Sequence, residues 1–185
     1  MAAPVLWTIG HSTRPIEEFL RLLKSHKIEL LIDVRTIPYS RRNPQFHTSA
    51  LTASLKEAGI DYHHLPALGG RRKSRADSPN LGWRNAGFRG YADYMQTESF
   101  WKGLEKLMEI GTQIRTAIMC AEAVPWRCHR ALIADALVSR GWDVRHILTP
   151  TKADSHSVTS FAKIEHGRIL YPAEAMTDSL PRLFH

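Results

Sequence analysis

The sequence predicts an α/β fold, a single three-layer domain in which helices flank a mostly parallel sheet and a long basic loop follows the third strand. Three observations support this prediction. Short apolar segments alternate with segments of helical periodicity, which is the pattern of parallel strands joined by helices. A length of 185 residues suits one domain. Contents of 43% hydrophobic and 23% charged residues are ordinary for a globular protein.

The first half of the chain alternates strands and helices. Residues 5–9 form an apolar run that ends at Gly10, as expected for a buried strand. Pro15 suits the first turn of a helix, and apolar residues then recur at helical spacing up to about Ser25. The next predicted elements are a strand over 28–34, a helix over 48–58 and a strand over 60–65.

The second half repeats the pattern after the basic loop. Thr97 can cap a helix that continues to Gly111. The other predicted elements are a short helix over 91–95, a strand over 114–120, a helix over 127–140, and strands over 144–148 and 168–171. Residues 1–185 therefore form one predicted domain, with a core over about 5–172 and a poorly ordered C-terminal tail over 173–185.

The positive charge is concentrated in one stretch of the chain. Residues 35–91 contain ten Lys or Arg and three Asp or Glu, and ten minus three equals the whole formal net charge of +7. Six of these cations lie in 66–90, a segment rich in Gly and Pro that predicts a long loop. This concentration of positive charge predicts an anionic partner, which is a phosphate-bearing small molecule, a nucleotide or nucleic acid. A solvated basic face is the alternative.

Composition also excludes several classes of protein. No apolar run approaches the roughly 18 residues of a membrane helix, so we expect no membrane partner. The first residues lack the basic segment and long apolar stretch of a signal peptide, and two cysteines do not make a disulfide scaffold. We expect a cytoplasmic protein.

Polar residues follow three of the predicted strands. His11 and Ser12 follow the first strand, Asp33 and Arg35 end the second, and Cys120 and Glu122 end the strand over 114–120. Ligands of parallel sheets bind beyond the carboxyl ends of the strands, so these residues are expected to lie together. His11 can carry a proton or simply be hydrogen-bonded. The Asp33–Arg35 pair can orient a ligand or satisfy loop amides.

The segment from Met119 to Arg130 is the richest in chemical groups. Cys128, His129 and Arg130 are predicted in the first turn of a helix, where free amides and the helix dipole favour an anion and lower the pKa of a thiol. Either cysteine could be a reactive thiolate, with His129 or His11 as acid or base. Glu122 could be a general base or the ion-pair partner of an arginine.

Two other interpretations of the cysteines remain open. Cys120, Cys128 and His129 could bind a metal, but their spacing matches no common zinc signature and we expect no metal. The cysteines could also be buried structural residues. The sequence identifies no cofactor.

Several short motifs together resemble one family. They are Thr8-Ile9-Gly10-His11-Ser12, Asp33-Val34-Arg35, Leu68-Gly69-Gly70-Arg71, Phe88-Arg89-Gly90-Tyr91-Ala92, Met119-Cys120-Ala121-Glu122 and Cys128-His129-Arg130. In this order they resemble the family called domain of unknown function DUF488, over about residues 5 to 172. The resemblance implies little about the reaction.

A second likeness concerns the strand at Leu31–Arg35, which resembles the Asp-Val-Arg strand of rhodanese-type sulfurtransferases. Those enzymes and the related cysteine phosphatases use a strand-ending cysteine, an anion-binding loop and an arginine at the next helix. Six residues separate Cys120 from Arg127, where the phosphatase pattern has five.

The leading prediction is an enzyme that acts on a phosphate-bearing substrate, a nucleotide or nucleic acid. The predicted anion-binding residues are Arg35, Arg71, Arg127, Arg130 and Ser12. The predicted reactive or proton-handling residues are Cys120, Glu122, Cys128, His129, His11 and Asp33. The alternatives are a non-catalytic module that binds nucleic acid or a nucleotide, and chemistry like that of a rhodanese or cysteine phosphatase.

Overall fold

The structure is a computed structural model that describes residues 1–174. Its strands are β1 (Val5–Gly10), β2 (Leu30–Asp33), β3 (Asp61–His64), β4 (Thr116–Cys120), β5 (Asp143–Thr149), β6 (Lys152–Ser155), β7 (Lys163–Glu165) and β8 (Arg168–Leu170). Its helices are α1 (Ile16–Ser25), α2 (Thr48–Glu57), α3 (Ala86–Tyr94), α4 (Glu98–Gln113) and α5 (Arg130–Ser139). Short 3-10 helices occur at Pro44–Phe46, Pro66–Leu68 and Pro125–Arg127.

The main sheet has six strands in the order β3-β2-β4-β1-β5-β6. The pairings among its first five strands are all parallel, and β6 pairs antiparallel with β5. This arrangement confirms the predicted mostly parallel sheet. β7 and β8 form a separate antiparallel pair.

Alternating side chains of the strands build two apolar layers. Trp7 of β1 faces the layer that contains Phe19 of α1 and Leu51 of α2. Its neighbour Leu6 faces the opposite layer, with Leu104 of α4 and Leu132 of α5. Successive side chains of a strand point to opposite faces, so one sheet buries both groups of helices. The predicted three-layer α/β domain is confirmed.

Several boundaries differ from the prediction. α3 begins at Ala86 rather than near residue 91, because the side chain of Asn85 accepts hydrogen bonds from the amides of Gly87 and Phe88. α5 begins at Arg130 rather than 127, because Pro125–Arg127 forms a 3-10 turn of its own. β6 and β7 were not predicted. Most of the predicted tail, residues 175–185, lies outside the described residues.

Residues 69–85 form neither helix nor strand, but hydrogen bonds hold part of this segment in place. The buried carboxylate of Asp93 on α3 accepts hydrogen bonds from the Ser78 hydroxyl, the Asn80 side-chain amide and the backbone amide of Arg75. The side-chain oxygen Oδ1 of Asn80 in turn accepts from the backbone amide of Tyr171. Among residues 1–174, no helix has the length and apolar character needed to cross a bilayer.

The topology opens a crevice at the carboxyl edge of the sheet. β2 and β4 are neighbours, but β2 leads into α2 on one face while β4 leads into α5 on the other. The segments that leave these two strands therefore diverge. Such a divergence is the usual position of a ligand site in an open α/β sheet.

Candidate active site

A cavity of about 210 Å³ lies beyond the carboxyl ends of β1, β2 and β4. Its lining comprises His11, Arg35, Thr36, Ile37, Tyr39, Ser40, Gly70, Arg71, Cys120, Ala121 and His129. A larger open groove of about 670 Å³ lies at the amino ends of β2 and β3 and is lined by residues such as Leu30 and Gly59. The smaller cavity holds the predicted reactive groups, and it is the candidate site.

Two thiols and an imidazole converge beside this cavity, and we call Cys120, Cys128 and His129 the Cys–His cluster. Nδ1 of His129 lies 3.9 Å from Sγ of Cys120 and 3.7 Å from Sγ of Cys128. All three donor atoms lie within 4.8 Å of one another, and both cysteines are buried. Thiol sulfur and imidazole nitrogen can serve as nucleophile and base, and they are also ligands that zinc prefers.

The two thiols differ in acidity because they share a hydrogen bond. That bond and burial raise the pKa of the Cys120 thiol well above its usual range. The bond from Cys120 lowers the pKa of Cys128 well below its usual range, and His129 and Arg130 act in the same direction. A lowered thiol pKa was predicted from helix α5, but Cys128 precedes that helix and owes the effect to its neighbours.

Arg130 lies behind the Cys–His cluster with almost no solvent exposure. Its guanidinium donates to the hydroxyl of Thr8 at 3.0 Å and to the carbonyl of Glu122 at 2.6 Å. Both partners are neutral, and no carboxylate in residues 1–174 is within ion-pair distance of it. Its charge raises the electrostatic potential around the thiols.

Asp33 and Arg35 form a buried ion pair at the end of β2. Nη2 of Arg35 lies 2.6 Å from Oδ2 of Asp33, and its Nε lies 2.9 Å from Oδ1. The hydroxyl of Tyr62 also donates to Asp33, and Arg35 donates to the carbonyl of Phe46. Arg35 borders the cavity as predicted, but Asp33 already balances its charge.

His11 lies at the end of β1, stacked on Phe46 with ring centroids 4.3 Å apart. Its Nδ1–H donates to the carbonyl of Ser12 at 2.8 Å, and its Nε2 lies 3.4 Å from Nη1 of Arg35. Burial is the main cause that lowers the pKa of His11, to about 4. The imidazole is therefore neutral near pH 7.

The chain crosses the Cys–His cluster at Gly70. A Cβ atom at this position would lie 3.0 Å from Nδ1 of His129, tighter than most such contacts. The Thr36 hydroxyl donates to the Gly70 carbonyl at 2.6 Å and holds the crossing in place. Arg71 follows with a φ of +58°, a conformation uncommon outside glycine that often marks functional sites. Its exposed guanidinium makes no ion pair with any residue of 1–174.

The structure brings together most of the predicted residues but not all of them. His11, Arg35, Arg71, Cys120 and His129 line the cavity, with Asp33, Cys128 and Arg130 buried next to them. Glu122 and Arg127 are exposed and do not line the cavity. Ser12 uses its backbone amide to bond the carbonyl of Ala121.

Sequence reasoning missed the lining residues Thr36, Tyr39, Ser40 and Gly70. A signal was present in the pair Gly69-Gly70 before Arg71, which marks a close approach of the backbone. The hydroxyl residues had no such signal, because their position depends on the path of the loop after β2.

Sequence reasoning also missed a buried chain of hydrogen bonds behind the site. Thr8 accepts from Arg130, and because Asp135 at the other end can only accept, Thr8 donates to Nδ1 of His146 at 2.7 Å. Nε2 of His146 then donates to Nδ1 of His156 at 2.9 Å, and Nε2 of His156 donates to Asp135 at 2.7 Å. Each link sets the direction of the next, so both histidines have a defined tautomer.

Comparison with known families agrees with the fold and the motifs. The family model described as domain of unknown function DUF488 matches residues 15–137, more than half of the chain. The chain belongs to this family. The matched DUF488 region runs from α1 into α5 and contains Asp33, Arg71 and the Cys–His cluster. His11 precedes it and His156 follows it. Neither the curated proteins nor the solved structures contain a significant match.

Proposed function

We propose that this protein is an enzyme that acts on a phosphate-bearing substrate at the cavity beyond β1, β2 and β4. The observation that carries the proposal is the position of Arg71, a cation without an ion-pair partner in residues 1–174, at the same cavity as the Cys–His cluster. A cation for an anionic group and a reactive sulfur–imidazole cluster at one cavity are the two parts such an enzyme needs.

The charges around the cavity favour an anion. Asp33 balances Arg35, but within residues 1–174 no carboxylate lies within ion-pair distance of Arg71 or the buried Arg130. The Tyr39 and Ser40 side chains at the cavity add hydroxyl groups that can donate to phosphate oxygens. A phosphate group bound there would compensate positive charge that the described residues leave uncompensated.

The size of the cavity limits what it can enclose. Ligand pockets for drug-sized molecules usually measure about 300–1,000 Å³. A cavity of about 210 Å³ suits a phosphate group and its reacting bond, so the rest of the substrate extends outwards. The exposed Ile37 and Tyr39 line the cavity, and the exposed cations Arg41 and Arg42 follow them directly in the sequence. This arrangement fits a nucleotide or the end of a nucleic acid.

The reacting group belongs to the Cys–His cluster in this proposal. Cys120 and His129 border the cavity, whereas Cys128 lies next to them away from it. Asp33 and Arg35 are positioning residues that hold His11 and the loop after β2. Glu122 and Arg127 take no part, because both side chains are exposed outside the cavity.

The test is to incubate the full chain with phosphate monoesters, phosphodiesters, nucleotides and short oligonucleotides, and to separate the products by chromatography. Arg71→Ala should lower kcat/KM about 10- to 100-fold, since a hydrogen bond to a charged group contributes about 1.5–3 kcal/mol. Arg84→Ala is the matched control, because Arg84 is also exposed on the basic segment but lies outside the cavity.

Two outcomes would contradict the proposal. Equal losses in the Arg71 and Arg84 variants would show that the cavity does not hold the anion. Binding of a labelled nucleotide that Arg71→Ala weakens, without turnover of any compound, would indicate a non-catalytic binding module instead.

A further inference from the structure

We infer that Cys120, Cys128 and His129 bind one Zn²⁺ ion whose fourth coordination position opens into the cavity. The inference rests on the ligand geometry alone. Only the role of the ion in turnover rests on the proposed function.

The distances within the cluster are those of a nearly formed tetrahedral site. With Zn–S bonds of about 2.3 Å and a Zn–N bond of about 2.0–2.1 Å, a tetrahedral ion places sulfur and nitrogen roughly 3.6 Å apart. The observed sulfur–nitrogen distances are 3.7 Å for Cys128 and 3.9 Å for Cys120. Both distances are within a few tenths of an ångström of that value, and the two sulfur atoms lie within 4.8 Å of each other. The same distances are long for hydrogen bonds from a thiol.

The imidazole of His129 directs its Nδ1 towards the position of the proposed zinc ion. Nε2 of His129 donates to the backbone carbonyl of Val34 at 3.0 Å. Nε2 therefore carries a proton, and Nδ1 is the ring nitrogen that faces both sulfur atoms and can bind a metal. Histidines that bind metals usually donate their other nitrogen to a carbonyl or carboxylate in this way.

The backbone explains how neighbouring residues reach the same ion. Cys128 is extended, with φ −135° and ψ 146°, whereas His129 is already helical, with φ −58° and ψ −13°. This change of direction lets the two adjacent side chains point to one place. The spacing resembles no common zinc signature, because β4 supplies the third ligand and the loop from Ala121 to Arg127 is irregular apart from its 3-10 turn.

The open side of the site faces the cavity. Cys120 and His129 line it while Cys128 does not, so a fourth ligand would approach from the cavity. Both cysteines would bind the ion as thiolates, and two thiolates balance the charge of the ion. The charge of Arg130 then remains and favours an anionic fourth ligand, such as hydroxide or a phosphate oxygen. A catalytic zinc keeps such an open position, whereas a structural zinc does not.

The experiment is elemental analysis of the full chain, purified without an affinity tag of histidines and without chelators. We expect about one zinc per chain. After removal of zinc, titration with Co²⁺ should give the sulfur-to-cobalt absorption and the visible bands of a tetrahedral site. Cys128→Ser and His129→Gln should each lower zinc affinity at least 10-fold. His63→Gln is the control, since His63 is exposed on β3 and away from the cluster.

A variant that fails to fold would also lose its zinc, so zinc binding is measured on the zinc-free wild type as well. It should take up one Zn²⁺ per chain, measured by competition with a zinc indicator dye. Two free thiols and no zinc uptake in a folded chain would overturn the inference. Arg71→Ala should keep its zinc. Bound zinc without turnover of phosphate compounds would contradict the proposed enzyme but leave the metal site intact.

Discussion

Replacing Asp33 by asparagine should lower the free energy of unfolding by about 3–5 kcal/mol. Removing one partner of a buried ion pair leaves the other charge buried without compensation, and losses of this size are typical. The side chains of Asp33 and Arg35 are 0% and 6% exposed, so water cannot replace the lost carboxylate. Asparagine keeps the shape of the side chain, and the effect therefore reports on charge.

The chain contains a matched control for this change. Residues 143–145 repeat the tripeptide Asp-Val-Arg, and Arg145 bonds Asp143 at 2.8 Å. Here the two side chains are 44% and 29% exposed, so the pair is partly solvated. Asp143→Asn should cost only about 0–1 kcal/mol, the usual range for a surface pair. The same three residues are thus compared in two environments.

The assay is urea denaturation of the wild type and both variants, followed by tryptophan fluorescence and circular dichroism at the same zinc content. Coincident transitions would support a two-state analysis. A loss below about 1 kcal/mol for Asp33→Asn, or equal losses for both variants, would refute the argument that burial of the pair decides its contribution.

Three further predictions concern other parts of the fold. Gly10→Ala should lower the free energy of unfolding, measured by urea denaturation, by about 3 kcal/mol. The new Cβ would lie 1.8 Å from the carbonyl oxygen of Glu122, so the loop after β4 would have to move. A loss under 1 kcal/mol would contradict this packing. Asn85→Ala should cost about 1 kcal/mol through loss of the α3 cap, seen as a lower Tm, and an unchanged Tm would mean that the cap contributes nothing. Stability should also fall as the pH drops from 6.5 towards 3. Burial is the main cause that lowers the pKa of His146 to about 3, followed by the charges of His156 and Arg130. Between these pH values the unfolded chain therefore binds a proton that the folded chain does not. At pH 5, His146 alone should lower the free energy of unfolding by up to about 2 kcal/mol relative to pH 7. His146→Gln should reduce the difference in unfolding free energy between the two pH values by that amount. An equal difference in wild type and variant would refute the assignment.

The alternation of strands and helices was predictable because it depends on local patterns. β1, β2 and β4 are continuous apolar runs, buried on both faces as central parallel strands are. β6 and β7 have no such pattern, since their residues are mostly exposed and polar. β6 exists because the edge of β5 offers hydrogen-bonding groups, a tertiary effect that propensity does not record.

The site was predictable where backbone topology decides it. Carboxyl ends of parallel strands meet at one edge, and this brought His11, Arg35 and Cys120 to the same cavity. Side-chain direction in the loop after β4 was not predictable, because it depends on packing. Arg127 and Glu122 of this loop turn towards solvent, whereas Arg130 at the start of α5 turns inwards to Thr8.

The buried hydrogen bonds from Arg130 to Asp135 bear on the electrostatics of the cavity. All four links from Arg130 through Thr8, His146 and His156 run in one direction, so their bond dipoles are aligned and polarise one another. The guanidinium of Arg130 and the carboxylate of Asp135 thus behave as a remote ion pair, whose attraction is transmitted through Thr8, His146 and His156. Arg130 is thus held in the interior without a carboxylate of residues 1–174 beside it, and its charge favours the thiolate forms of both cysteines.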